Sequence, residues 1–314
     1  MRKWMSLLVL LLLLGGGAWW WGASRPGPGP VPVVPNLQAQ RDAFEALVQA
    51  GRLPGYPEPR AGWVPAPARL EDVPPVFAGT PPAFLLEEVE AHQRPEGRAA
   101  LTEEEKQEAA LRQGLALELL TNHATPTQQS RVATWLDAGR IWQPWRAARL
   151  LALRRGPAAL SDVEAVLDEA PWGYGGAQAA LSLAETGAPA TAERLERFLR
   201  THYGRQGYAS GKAALKLLAR SGPEARAAVI AAAFRLLRHR EAGTATYGGL
   251  SIDLTHPGRI VYLQTTAIEI LREVGDATTA EELERNPTPF AEPTPARLRY
   301  LEESLEELRA GGDG

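Results

Sequence analysis

The sequence alternates apolar segments with glycine at a recurring interval. Four stretches align on Gly156, Gly187, Gly222 and Gly275, which lie 31, 35 and 53 residues apart. Alanine and leucine at helical spacing precede and follow each glycine. Self-similarity at a period of this size is typical of stacked supersecondary units, none of which can cover its apolar face alone. The pattern therefore predicts a series of helix pairs.

The glycines mark the turns inside these pairs. Glycine suits the left-handed conformation that ends a first helix, and Pro157, Pro189 and Pro223 suit the opening turn of a second, where a missing N–H costs little. Residues 115–136, "LALELLTNHATPTQQSRVATWL", fit the same frame without its glycine, about one period earlier. The sequence thus predicts about five helix pairs.

The small and aliphatic residues around these turns, as in "AALSLAETGAPATAERLERFL" (179–199), resemble the HEAT-like (PBS-lyase-type) α-solenoid family over roughly residues 100 to 286. The resemblance implies an all-α fold, a right-handed α-solenoid of about five HEAT-like pairs. It also implies a binding role, since most members are scaffolds, with a few bilin lyases and hydroxylases among them. The family's Gly-Asp turn is kept only in part, at Gly275-Asp276.

Two segments interrupt or close the predicted repeat domain, which spans 82–286. The insertion 241–262 has β-favouring residues on both sides of Gly248-Gly249, which predicts a projecting hairpin with a two-residue turn. The segment 287–314 contains a leucine stripe on an otherwise acidic helix, and we expect it to cap the stack. The stripe consists of Leu298, Leu301, Leu305 and Leu308.

The N-terminal 81 residues read as an anchor or signal followed by a tether. Residues 4–23 contain no charge, follow Arg2 and Lys3 and end in a tryptophan cluster, which favours a membrane anchor within 1–24 with the body outside. A cleaved signal peptide remains the alternative and would leave a secreted or periplasmic protein. The Pro-rich stretch 25–81 predicts an extended tether, interrupted by one short helix at 36–51.

Residue patterns for catalysis or cofactor binding are weak. The chain has no cysteine, and its five histidines lack metal-ligand spacing. Asp253 and His256 in the insertion make the best catalytic pair, but without a third partner a surface loop is the more common explanation. The acidic run after Thr102 fits the first turn of a helix. We therefore expect no catalytic residue, cofactor, metal or small-molecule substrate.

Charge is segregated along the chain. The net charge is −5 over residues 25–139, +8 over 140–240 and −8 over 241–314. A basic middle could attract an acidic partner, anionic lipid or cell-wall polymer, or hold the chain's own acidic segments. Solvated helix faces are the plainer explanation.

Aromatic residues recur shortly before the first helix of each pair. Loops at the same point of successive repeats emerge on one edge of a solenoid, so these rings and nearby arginines could form a partner-binding strip. Alternatively, the rings are buried in the turns between repeats, where they fill space in the core. The candidate partner-binding residues are Trp142, Trp145, Arg146, Arg149, Trp172, Tyr174, Tyr203, Arg205, Tyr208 and Tyr247.

The leading hypothesis is a non-catalytic, exported or membrane-tethered helical-repeat scaffold that binds a protein partner in the cell envelope. One alternative is an enzyme on a HEAT-like scaffold, and another is a protein that binds an anionic polymer through the basic middle. Nucleic acid is not expected as a partner, because the N-terminus directs the body out of the cytoplasm.

Overall fold

A computed structural model gives the fold of part of the chain. It describes residues 37–51, 75–77, 82–95, 101–169, 173–201, 205–239, 244–247, 250–253, 257–285 and 294–311. The expected anchor or signal at 1–24 lies outside these residues, as does most of the Pro-rich tether.

The described chain is all-α apart from one two-stranded hairpin, which confirms the predicted fold class at that level. The strands are β1 (Thr244–Tyr247) and β2 (Leu250–Asp253). The helices are α1 (Leu37–Ala50), α2 (Ala83–Ala91), α3 (Glu103–Thr121), α4 (Pro126–Asp137), α5 (Pro144–Arg155), α6 (Leu160–Glu169), α7 (Gly173–Glu185), α8 (Thr191–Thr201), α9 (Arg205–Ala219), α10 (Pro223–Arg238), α11 (Pro257–Val274), α12 (Ala277–Glu284) and α13 (Pro295–Gly311).

Between residues 103 and 284 the described helices alternate as first and second members of successive pairs. The first helices contact one another in chain order, α3 with α5, α5 with α7, α7 with α9 and α9 with α11. Among the second helices, α4 contacts α6 and α8 contacts α10. Leu117, Leu150, Leu183 and Leu215 are fully buried, one on each of the first four first helices. The core therefore runs along the row of first helices.

Glycine lies in three of the turns between a first and a second helix, in backbone conformations that other residues rarely adopt. The φ angle is +55° at Gly156, +69° at Gly187 and +150° at Gly222. Gly275 lacks a positive φ, but a Cβ there would lie 2.5 Å from the Leu271 carbonyl oxygen and 2.7 Å from a methyl carbon of Leu308. The left-handed conformation predicted at Gly275 is wrong, because close packing is what excludes a side chain there.

Proline begins two of the second helices. Pro126 opens α4 and Pro223 opens α10, while Pro157 lies in the 3-10 turn (Gly156–Ala159) that leads into α6. Pro189 lies in the connecting turn before α8, where its carbonyl accepts the Ala192 N–H at 3.1 Å. The prediction of a helix-opening proline therefore holds at Pro223, whereas Pro157 opens a 3-10 turn and Pro189 precedes the start of α8 by two residues.

Capping boxes fix the starts of three helices. The Thr102 side chain accepts the Glu105 N–H, and the Glu105 carboxylate accepts the Thr102 N–H at 2.7 Å. This hydrogen bond lowers the pKa of Glu105. Thr125 and Asp276 cap α4 and α12 in the same way. The acidic run after Thr102 is thus a helix start, as predicted.

The helix predicted within the tether exists and has a partner that the sequence left open. Phe44 of α1 is 1% exposed and packs edge to face on Phe84 of α2, with the ring centroids 5.9 Å apart. The Gln40 side chain donates to the Val76 carbonyl at 3.0 Å. Arg112 of α3 binds the Glu45 carboxylate at 2.7 Å. Helix α1 is therefore packed against α2 and α3.

The inserted hairpin and the C-terminal helix also form as predicted. Tyr247 pairs with Leu250, so two residues separate the antiparallel strands. The end of the insertion differs, because residues 257–262 already belong to α11. Helix α13 packs on α11 and α12 with Leu301 and Leu308 buried. None of the described helices has the length and apolar content that a membrane crossing requires, and residues 4–23 lie outside the part described.

Candidate functional site

Five of the ten predicted partner-binding residues are described with their side chains, and they cluster at α5 and α7. Trp142, Trp145, Arg146 and Arg149 lie in or just before α5, and Tyr174 lies in the first turn of α7. Arg205 and Tyr208 belong to α9 and Tyr247 to β1, but their side chains lie outside the described part, as do Trp172 and Tyr203 altogether.

The described aromatic residues pack between helices. Trp145 is 8% exposed and meets Tyr174 edge to face, with ring centroids 5.3 Å apart. The Trp142 indole N–H donates to the His92 carbonyl at 3.1 Å. Burial raises the pKa of Tyr174. The contacts of Trp142, Trp145 and Tyr174 favour the alternative in which the rings are buried between repeats, because a partner-binding strip requires exposed rings.

Arg149 is also inside the protein. It is 5% exposed, and its Nη1 lies 3.2 Å from a carboxylate oxygen of Glu118 on α3. On its other side, its Nε lies 3.5 Å from Oε1 of Glu185, the last residue of α7. Arg149 therefore joins three consecutive first helices through charge, and it cannot serve as an exposed anchor for a partner.

Arg146 completes this buried charge cluster, which consists of Glu118, Arg146, Arg149 and Glu185. Its Nη1 lies 2.9 Å from the other Glu118 oxygen, and its guanidinium covers the Trp145 ring at 4.5 Å from the centroid. A Cβ at Gly114 would lie 3.1 Å from Nε of Arg146, so a glycine on α3 makes room for this side chain. Two carboxylates and two guanidiniums balance one another when both acids are ionised.

Glu185 is the least satisfied member of the buried charge cluster. Its side chain is 7% exposed, and its Oε2 is buried without a hydrogen-bond partner. Burial raises the pKa of Glu185 to about 7, against the opposing pull of Arg149. The cluster can therefore hold or release a proton near neutral pH, which is the kind of chemistry it offers.

Sequence reasoning missed both acids of the cluster. Glu118 interrupts the apolar run "LALELL" and Glu185 the run "LSLAETG". A charge on an otherwise buried helix face was the available signal, since such a residue needs a partner of opposite sign. What the sequence did not contain was the pairing, because Arg149 lies 31 residues from Glu118 and 36 from Glu185.

Ion pairs between helices account for much of the segregated charge. Basic residues of the middle segment reach carboxylates of both acidic flanks, so the chain neutralises its own charge pattern in three dimensions. These pairs are Arg146 and Arg149 with Glu118, Lys212 with Glu269, Lys216 and Arg220 with Glu273, and Arg238 with Glu282.

A polar groove of about 540 Å³ follows one set of these pairs. Lys212 and Lys216 of α9 face Glu269 and Glu273 of α11 across it, and Tyr300 of α13 lines one end. All four charged groups are paired with one another across the helices. The groove therefore presents balanced charge rather than a site of one sign.

Among the residues that the structure describes, no group of three or more His, Asp or Glu side chains is arranged to hold a metal ion. Comparison with known proteins gives no relative. No family model, curated protein or solved structure matches the chain. The proposed function therefore rests on the residues of this chain alone.

Proposed function

We propose that the protein is a non-catalytic helical-repeat scaffold, a right-handed α-solenoid of HEAT-like pairs, which binds a protein partner in the cell envelope. The observation that carries the proposal is the chain-order contact among the first helices α3, α5, α7, α9 and α11. An array built in this way grows by adding pairs and offers long edges and faces, which repeat proteins use to bind other macromolecules.

The ion pairs favour a protein partner over an anionic polymer. Polymer binding would need the excess cations of residues 140–240 to be free, whereas six of the described ones are engaged with carboxylates of the flanking segments. Phosphate or polymer binding through unpaired cations would also be strongly salt-dependent. A protein partner can instead use the mixed charges and apolar atoms at the edge of the stack.

The enzyme alternative has less support. Glu185, the carboxyl group whose pKa is raised to about 7, has a side chain that is 7% exposed, and its one ion-pair contact is with Arg149. Catalysis would need a reacting group that substrate can reach.

In this proposal residues 4–23 hold the scaffold at the membrane, and the Pro-rich segment sets its distance from the bilayer.

Site-directed photocrosslinking in intact cells tests the proposal. A photoreactive amino acid would be placed at Ala138, which is exposed at the end of α4, four residues before Trp142, and has a φ of −76°. The same group at Ala158 and Ala190, exposed in the turns at the other end of the pairs, provides matched positions. Crosslinked products would be identified by mass spectrometry of the membrane and soluble fractions.

We expect one envelope protein to be crosslinked from Ala138 and much less from Ala158 or Ala190. Equal, nonspecific products from all three positions would contradict a defined binding edge. The same group at Gln38, exposed on α1 within the segment 25–80, would assign partner binding to the tether if only that position gave products. Loss of all products in 1 M salt would favour the polymer alternative over protein binding, because salt at ~1 M shortens the screening length to ~3 Å.

A further inference from the structure

Glu185 occupies a position that disfavours its charged form for several independent reasons. It is the last residue of α7, where the helix dipole is negative and an anion is destabilised. Its Oε2 is buried and accepts no hydrogen bond. Its Oε1 has one long contact of 3.5 Å to Arg149. A carboxylate with so few donors is poorly compensated for the loss of water.

The surrounding charges do not remedy this. Arg149 on α5 is the cation nearest to Glu185, and it already binds Glu118 of α3 at 3.2 Å. Glu118 adds a second negative charge to the same cluster, and Arg146 is engaged with Glu118 at 2.9 Å. Within the described residues, no group of α6, α8 or α9 forms an ion pair or hydrogen bond with Glu185.

We propose that Glu185 is a proton-operated contact between helix pairs: the neutral side chain fits its buried position between α7 and α5 while Arg149 binds Glu118, and ionisation leaves a poorly compensated charge there that loosens α7 from α5. Because α5 lies between α3 and α7, the proton on one side chain sets how charge is distributed across three consecutive pairs. The device belongs to the scaffold itself and does not depend on the identity of a partner.

The direction of the effect follows from linkage. The pKa of Glu185 is about 7 in the folded protein, above the ordinary value of 4.5. The folded state therefore binds the proton more tightly than the unfolded or locally opened state, in which Glu185 is solvated and has its ordinary pKa. The resulting stabilisation is fully present below pH 4.5, declines between pH 4.5 and 7, and is lost above pH 7.

Two measurements on the full chain test the proposal. The first follows the side-chain carboxyl carbon resonance of Glu185 by NMR from pH 4 to 9, assigned by its absence in Glu185→Gln. We expect the resonance to shift with a midpoint near 7. A midpoint near 4.5, the ordinary value, would overturn the proposal, and this result needs only the wild-type protein to be folded.

The second measurement is amide hydrogen exchange of α5 and the last turn of α7, corrected for the intrinsic pH dependence of exchange. Protection should fall up to ~tenfold per pH unit between pH 5 and 7 and level off above pH 8. Glu185→Gln should remove this slope, while Glu193→Gln, a control on the exposed face of α8, should keep it. A slope that persists in Glu185→Gln would show that another group is responsible and would overturn the proposal.

Discussion

Trp145 of α5 and Tyr174 of α7 pack edge to face, with ring planes at 80° and centroids 5.3 Å apart. Trp145 also contacts the buried charge cluster, since the Arg146 guanidinium lies over its ring, 4.5 Å from the centroid. Two consecutive helix pairs are thus joined by an aromatic contact and by the bridge from Arg149 to Glu185.

The first prediction concerns the contribution of the Trp145 ring to stability. Trp145→Ala should lower the free energy of unfolding by ~3–5 kcal/mol, because a large buried ring is removed and a cavity is left. Urea denaturation followed by circular dichroism measures the change. Leu37→Ala, at a side chain that is 51% exposed, is the control and should change stability by less than ~0.5 kcal/mol. A Trp145→Ala protein of unchanged stability that no longer crosslinks its partner would instead identify Trp145 as a surface anchor.

The second prediction concerns the close packing around Gly275. Gly275→Ala should destabilise the protein by more than Gly139→Ala does. At Gly139 an added Cβ meets nothing within 4 Å, so only the strain of a φ of +66° remains, which costs ~1–2 kcal/mol. At Gly275 the Cβ would collide with the Leu271 carbonyl and Leu308, so α13 must shift. Urea midpoints of both variants provide the comparison, and equal losses would contradict the account of Gly275.

The third prediction concerns the ion pair between Lys216 and Glu273, which links α9 to α11. Burial raises the pKa of Glu273, but the hydrogen bonds and charges of Lys216 and Arg220 together outweigh it and leave the pKa below its ordinary value. Lys216→Glu should destabilise the protein through repulsion of Glu273, and the swap Lys216→Glu with Glu273→Lys should recover part of the loss, because Arg220 loses its partner Glu273 in the swap. We expect a coupling of ~0.5–1 kcal/mol in low salt that shrinks in 1 M NaCl. Additive losses in the double variant would show that the pair does not link α9 to α11.

The helix pairs and their turns were predictable because their signals are local. Glycine at +55° and +69° and proline at the start of α10 act on their own backbone, so Gly156, Gly187 and Pro223 indicate the same turn in sequence and in space. Gly275 shows the limit of this reasoning. Part of its constraint comes from Leu308, 33 residues away, which no local pattern contains.

The candidate site was only partly predictable for the same reason. The sequence singled out Trp145, Arg146 and Arg149, but their burial depends on which helices cover them. An aromatic or arginine side chain near a turn has the same local sequence whether it ends inside or outside the stack. Glu118 and Glu185 became visible as a site only when α3, α5 and α7 were placed side by side.

The first helices contact one another in the order of the chain, which predicts that the helix pairs follow one another in space in that order. Because the protein has no cysteine, spin labels can be attached at single introduced cysteines without background. The labels would be placed in pairs from Ser130 on α4 to Ser161 on α6, Glu193 on α8 or Glu224 on α10, all exposed positions on second helices. Pulsed electron paramagnetic resonance measures the distances. We predict that the distance from Ser130 increases at each step, by ~8–10 Å per pair where neighbouring axes are parallel. A distance to Glu224 no longer than the distance to Ser161 would mean that the helices gather around one centre and would contradict a stack in chain order.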